Sequence, residues 1–117
     1  MLQFRFLAHD DFLLAHVFGL VSPEAWDQVL RELEQAIAGA GKDRLVLDLT
    51  GLLGWLGQPE RTAVGGLMAI RLARMKRVAL FVQASKITGV VEAEAQRKGL
   101  DLRLFPSFED AAAWVVS

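Results

Sequence analysis

Residues 44–49 read Arg44-Leu45-Val46-Leu47-Asp48-Leu49, a short and nearly continuous apolar run. A strand with one wet face alternates apolar and polar residues, whereas a run without alternation suits a strand covered on both faces. A second run of the same kind, Val78-Ala79-Leu80-Phe81-Val82, follows after one helix-length. Two such strands with a helix between them make a βα unit. Both are expected at the centre of a sheet, as neighbours joined by a right-handed crossover.

Working outward toward the N-terminus, Ser22-Pro23-Glu24 marks a helix start. Serine caps, proline suits the first helical position and glutamate complements the positive helix end. Trp26, Val29, Leu30, Leu33 and Ile37 recur at helical spacing, and Gly39 and Gly41 end the helix. Upstream, residues 3–8 alternate in the strand period, His9-Asp10-Asp11 reads as a turn and residues 12–18 form a second strand. Strands this close in sequence pair as an antiparallel hairpin.

Toward the C-terminus, glycines punctuate residues 51–57, and Pro59-Glu60 opens a second helix running to about Met75. Residues 86–98 are expected as a third helix and Leu102-Arg103-Leu104-Phe105 as a short last strand. Ser107 caps a final helix, with Asp110 three residues on. The order β-β-α-β-α-β-α-β-α predicts an α/β fold: a mixed sheet from an N-terminal hairpin plus βα units, with helices covering it. Residues 1–117 are expected to be one domain, because the length suits one core and no linker or repeat divides it.

The hydrophobic share is 53%, with 10 glycines besides, which is more than one small core requires. A sheet covered on both faces accounts for part of it, and an apolar surface for a partner, lipid or second subunit would account for the rest. A net charge of −1 gives no electrostatic case for a polyanionic partner. With no cysteine, disulfides and thiolate-ligated zinc are excluded, and a reducing cytoplasm is the expected setting. The start, Met1 to Arg5, lacks the pattern of a signal peptide, and every apolar run is broken short of a membrane span.

Catalytic chemistry finds little purchase. His9 and His16 are the only histidines, and His9, Asp10 and Asp11 diverge around a turn, so no metal site is expected. Asp48 ends a buried strand without a partner nucleophile. It is expected to hold backbone N–H groups of the following turn, the alternative being an enzyme built on it. Gly51, Gly54 and Gly57 match neither a P-loop nor a dinucleotide fingerprint, so no cofactor is expected.

The second helix offers two orientations. Thr62, Gly65, Gly66, Ala69 and Ala73 share one small-residue face. If that face packs inward, Val64, Leu67, Met68 and Met75 lie outside among Arg61, Arg71 and Arg74, as an interface or ligand groove. In the other orientation, Leu67 and Ile70 enter the core and the glycines are tolerated. From Arg61 to Val91 the chain has no acidic residue but holds Arg61, Arg71, Arg74, Lys76, Arg77 and Lys86. These basic groups complement a helix C-terminus or meet an anionic headgroup. Aromatics for base stacking are not interleaved, so no nucleic acid is expected.

The strand Leu45-Val46-Leu47-Asp48-Leu49 with Gly54-Trp55, the strand Arg77 to Val82, and the tail Phe105-Pro106-Ser107-Phe108-Glu109-Asp110-Ala111-Ala112-Ala113-Trp114 together resemble the STAS superfamily. The likeness is to its SpoIIAA-like (STAS/SEC14-type) branch of small stand-alone bacterial proteins, and it runs through nearly the whole chain. In anti-sigma-antagonist members, a serine in the loop after the Asp-bearing strand is phosphorylated. Here that stretch is Leu56-Gly57-Gln58-Pro59, which has no hydroxyl, and Thr50 and Thr62 only flank it.

The resemblance therefore implies a non-enzymatic module without the phospho-switch, forming a homodimer and binding an apolar or lipid-like ligand at a membrane surface. The expected binding residues are Trp55, Val64, Leu67, Met68, Arg71, Arg74 and Met75, with no catalytic or metal-ligating residue. The expected location is the cytoplasm, peripheral at the membrane. The alternatives are a protein-interaction module that only dimerises or docks a partner, and a small-molecule enzyme using Asp48.

Overall fold

Five strands and four helices alternate in the order read from the sequence. In the computed structural model, which describes residues 2–117, they are β1 (Leu2–Ala8), β2 (Leu13–Leu20), α1 (Pro23–Ala38), β3 (Arg44–Leu53), α2 (Gln58–Arg71), β4 (Arg77–Phe81), α3 (Val90–Arg97), β5 (Leu102–Phe105) and α4 (Phe108–Val116). Met1, where the N-terminal reading begins, lies outside the described residues. The strands form one sheet in the order β1-β2-β3-β4-β5. β1 and β2 are antiparallel, and every later pair is parallel.

β3 and β4 are neighbours, and neither lies at an edge. Their apolar runs require this, because they are buried on both sides. Leu45, Leu47, Val78 and Leu80 join the main core, while Val46 and Ala79 join a smaller one on the opposite face. The strand order also dictates where the helices go. Crossovers of one hand that always step to the next strand in the same direction must place their helices on the same face. α1, α2 and residues of α3 accordingly share the main core, and α4, which follows the last strand, covers the other face with Ala111 and Val115.

Local sequence signals set the ends of α1 and α4. Ser22 Oγ accepts the N–H of Ala25 at 3.0 Å, and Ser107 Oγ accepts that of Asp110 at 3.4 Å. Along α1, Trp26, Val29, Leu30, Leu33 and Ile37 are all buried, as their spacing requires.

Two helices are shorter than expected. α2 ends at Arg71, a turn before Met75, and the Met75 N–H bonds to the Leu72 carbonyl at 3.0 Å in a closing turn. The segment from residue 86 divides into a 3-10 turn over Ala84–Lys86 and the helix α3. Gly89 separates them at φ +83°, in the left-handed region that ends a right-handed helix. β3 runs on to Leu53, beyond the expected end at Leu49, with an irregular register opposite His16 to Phe18.

The orientation of α2 corrects the outward reading of its large residues. Val64, Met68 and Met75 are buried in the main core together with Leu72, and Leu67 is partly buried against it. Burying these large side chains removes more apolar area from water than burying the small ones would. Of the small residues, Gly65, Gly66 and Ala69 are buried as well, and Ala69 joins the main core. Gly65 meets α3 so closely that a Cβ there would lie 2.6 Å from the Val91 carbonyl oxygen. A close helix approach therefore compensates the glycine cost, while Thr62 and Ala73 remain exposed.

Candidate functional site

The carboxyl ends of β3, β4 and β5 lie together at one end of the sheet, because the three strands are parallel. A cleft of about 90 Å³ lies there beneath α2. Its walls are Leu49 and Leu52 from β3, Leu80 from β4 with Val82 just beyond, and Leu104 from β5. Trp26 of α1, Val64 and Met68 of α2 and Val91 of α3 close the other side, with Val21, Gly54 and Leu56 at the rim. Among the described residues, Arg61 and Lys86 are the only charged ones lining it.

Arg61 stands one turn into α2 and ties together three separate segments. Its Nε donates to the Leu56 carbonyl at 2.8 Å, and its Nη1 donates to the Lys86 carbonyl at 3.1 Å and to Thr88 Oγ1 at 2.9 Å. Its guanidinium carbon lies 4.1 Å from the centre of the Trp55 ring, a cation–π contact that holds the Trp55 loop beside the cleft. Lys86 Nζ donates to the Leu52 carbonyl at 3.2 Å. Among the described residues neither cation forms an ion pair. Burial pulls the Arg61 guanidinium below its ordinary pKa, since the charge has lost water.

Exposed apolar side chains gather at this edge. Leu20 and Leu53 are register partners at the ends of β2 and β3, and both are more than half exposed. Trp55 follows at 61% exposure, and Ile87 stands next to Lys86.

The expected binding residues are thus divided. Val64 and Met68 meet at the cleft, lining it from within the core, and Trp55 stands at its mouth against Arg61. Leu67 and Met75 do not line the cleft, and Met75 is buried elsewhere in the core. Arg71 turns to α1, where it reaches Glu34 at 3.5 Å and Asp27 at 4.0 Å. Arg74 is exposed on the turn after α2. Arg61 and Lys86 were missing from the expected set. The available signal was the long acid-free stretch that contains both.

Other candidate groups behave as structural residues. Asp48 Oδ1 accepts the Thr50 N–H at 3.0 Å and the Thr50 hydroxyl at 2.7 Å, a local contact inside β3, which runs on past the position where a turn was expected. By strand alternation it shares a face with Val46, away from the cleft. His9 stacks on Phe12, and His16 meets the edge of Phe18. Among the described residues no group of three His, Asp or Glu side chains could hold a metal ion, and no helix is long and apolar enough to cross a membrane. The Leu56-Gly57-Gln58-Pro59 stretch forms the start of α2, where Gly57 offers no side-chain cap. Thr62 lies in the following turn and bonds back to the Gln58 carbonyl at 3.0 Å.

The chain has the SpoIIAA-like, STAS-type fold. It matches an anti-sigma factor antagonist from Mycobacterium paratuberculosis over 100% of this chain and 96% of the other, at a TM-score of 0.69 and 16% identity. A DUF3478-family protein with a SpoIIAA-like fold from Shewanella loihica matches over 97% and 93%, at 0.64 and 21% identity. A substituted form of RsbS from Moorella thermoacetica matches over 97% and 94%, at 0.60 and 16% identity. No family model and no curated protein matches the sequence.

Proposed function

We propose that this chain is a non-enzymatic regulatory module, one STAS-like domain over residues 1–117, whose cleft takes an apolar or lipid-like ligand. The carrying observation is the cleft itself: an apolar opening at the carboxyl ends of parallel strands, rimmed by exposed apolar side chains. Ligand sites are concave and mostly apolar, with a few polar groups that fix orientation. The exposed rim of Leu20, Leu53 and Trp55 also suits peripheral contact with a membrane from the cytoplasmic side. A module without catalysis fits the role of Asp48, which accepts from Thr50 within β3.

A second reading has its own support. The same rim suits a protein partner or a second copy, and one structure of the same fold is an anti-sigma factor antagonist. Native mass spectrometry of the gently purified protein separates the two. The ligand reading expects a bound small molecule of lipid-like mass, lost when Met68→Trp fills the cleft. A bare dimer that Met68→Trp leaves intact, with no small molecule at any protein concentration, would overturn it in favour of the interaction module.

A further inference from the structure

We infer that the cleft is built for a single-chain amphiphile with an anionic end, its carboxylate held between Arg61 and Lys86. This builds on the ligand reading above and adds the chemical class.

The charge pattern comes first. Two cations line an otherwise apolar opening, and among the described residues neither forms an ion pair with a carboxylate. Elsewhere the protein pairs its half-buried arginines with acids: Arg71 with Asp27 and Glu34, Arg77 with Asp101, and Arg44 with Asp43. The cleft pair instead rests on backbone carbonyls and a hydroxyl, which position a cation without neutralising it.

The donors left over suit a carboxylate. Arg61 spends Nε and Nη1 on its own chain, which leaves the two N–H groups of Nη2. Lys86 spends one of its three donors. Four charge-assisted donors are thus left over on two cations that line the same cleft, enough for the lone pairs of one carboxylate.

The free volume selects the apolar part. It is about 90 Å³, below the ~150 Å³ of an engineered cavity that accepts a benzene ring. Only part of a ligand fits inside it: the end of an unbranched chain can enter, the remainder lying along the exposed apolar side chains of the mouth. Met68, the most adaptable side chain of the wall, can shift to lengthen the path. A carboxylate that draws Arg61 toward itself also loosens the guanidinium from Trp55, so the loop at the mouth responds to occupancy.

The experiment titrates the protein with octanoate, with octanol as its neutral counterpart, below their micelle or solubility limits. Binding is followed by calorimetry and by tryptophan emission, with Trp55→Phe identifying the Trp55 contribution. Octanoate should bind at least about tenfold more tightly than octanol, a gap of about 1.4 kcal/mol. Lys86→Gln should erase that gap while leaving octanol affinity unchanged. Because Arg61 also fastens three segments, Lys86→Gln carries the test, with Arg61→Lys as a second variant expected to release the Trp55 signal. Equal affinity for octanoate and octanol would overturn the anionic assignment and leave the apolar-ligand reading standing. Binding of neither would overturn both. Capture by anionic phospholipid vesicles with no affinity for monomeric octanoate would replace the inference with surface attachment.

Discussion

The two ends of the sheet use the same residue pair for different ends. At the amino ends of β3 to β5, Trp114 lies under two guanidiniums, those of Arg77 and Arg103, each 5.1 Å from its ring centre. Both arginines also reach Asp101, and Arg77 and Arg44 donate to the Trp114 and Val115 carbonyls at the end of α4. Each of these three arginines has a counter-charge and two of them also close the end of α4, and the result fastens α4 to the sheet. At the carboxyl ends, Trp55 lies under Arg61, which has no acid, beside Lys86, which has none either. An arginine over a tryptophan is thus not itself a sign of function. What distinguishes the two ends is whether the charge is neutralised from within.

The largest effect that probes this contrast is expected at Met68, where the carboxyl end merges with the core. Met68→Gln places an amide with no partner at a position only 1% exposed. The buried amide alone should cost about 1–3 kcal/mol, read as a lower urea midpoint with an unchanged slope. A variant as stable as the parent would mean that α2 turns this residue outward after all.

A smaller loss is expected at the amino end. Arg77→Met removes a partly exposed ion pair and a charge-assisted bond to a helix end, for about 1 kcal/mol after allowance for solvent screening. Octanoate affinity should not change. With Lys86→Gln, which should shift binding and leave stability within about 0.5 kcal/mol, this forms a crossed pair of outcomes. If both variants lose stability alike and binding alike, the division between the two ends fails.

How far the sequence foretold this arrangement depends on the range over which each feature is decided. The central strands were legible because burial on both faces writes itself into consecutive residues, as in Leu45 to Leu47. The start of α1 was legible because Ser22, Pro23 and Glu24 act within one turn. The orientation of α2 was not. Periodicity reveals that Val64, Met68 and Met75 share a side and that Gly65, Gly66 and Ala69 share another, but not which side faces the sheet. That depended on α3 supplying the Val91 carbonyl against Gly65, and nothing in residues 58–71 announces this neighbour. The cleft cations were hidden for the same reason. Arg61 and Lys86 lie 25 positions apart, and only the fold brings both to one opening.

The smallest expected effect lies where α3 meets α2. Glu94 accepts from Arg97 at 2.7 Å, and that bond holds its carboxyl below the usual carboxylate pKa. A depressed folded pKa contributes stability above the unfolded value and loses it as pH falls through the folded one. Glu94→Gln should therefore narrow the difference between neutral and acidic unfolding midpoints slightly, seen in urea titrations across the acid range. A wider difference would contradict the direction of the shift.

The sheet adds its strands in the order in which they are synthesised, so each new strand finds its neighbour already made. A chain emerging from the ribosome can lay down β2 on β1, then β3 on β2 after α1, without waiting for a distant segment. Folding is then a progressive extension in which each parallel pairing closes over a single helical crossover to the strand before it. α4 arrives last. Until it packs, Phe12, Val46 and Ala79 lack their cover, so the nine residues of α4 are what shields this face of the sheet.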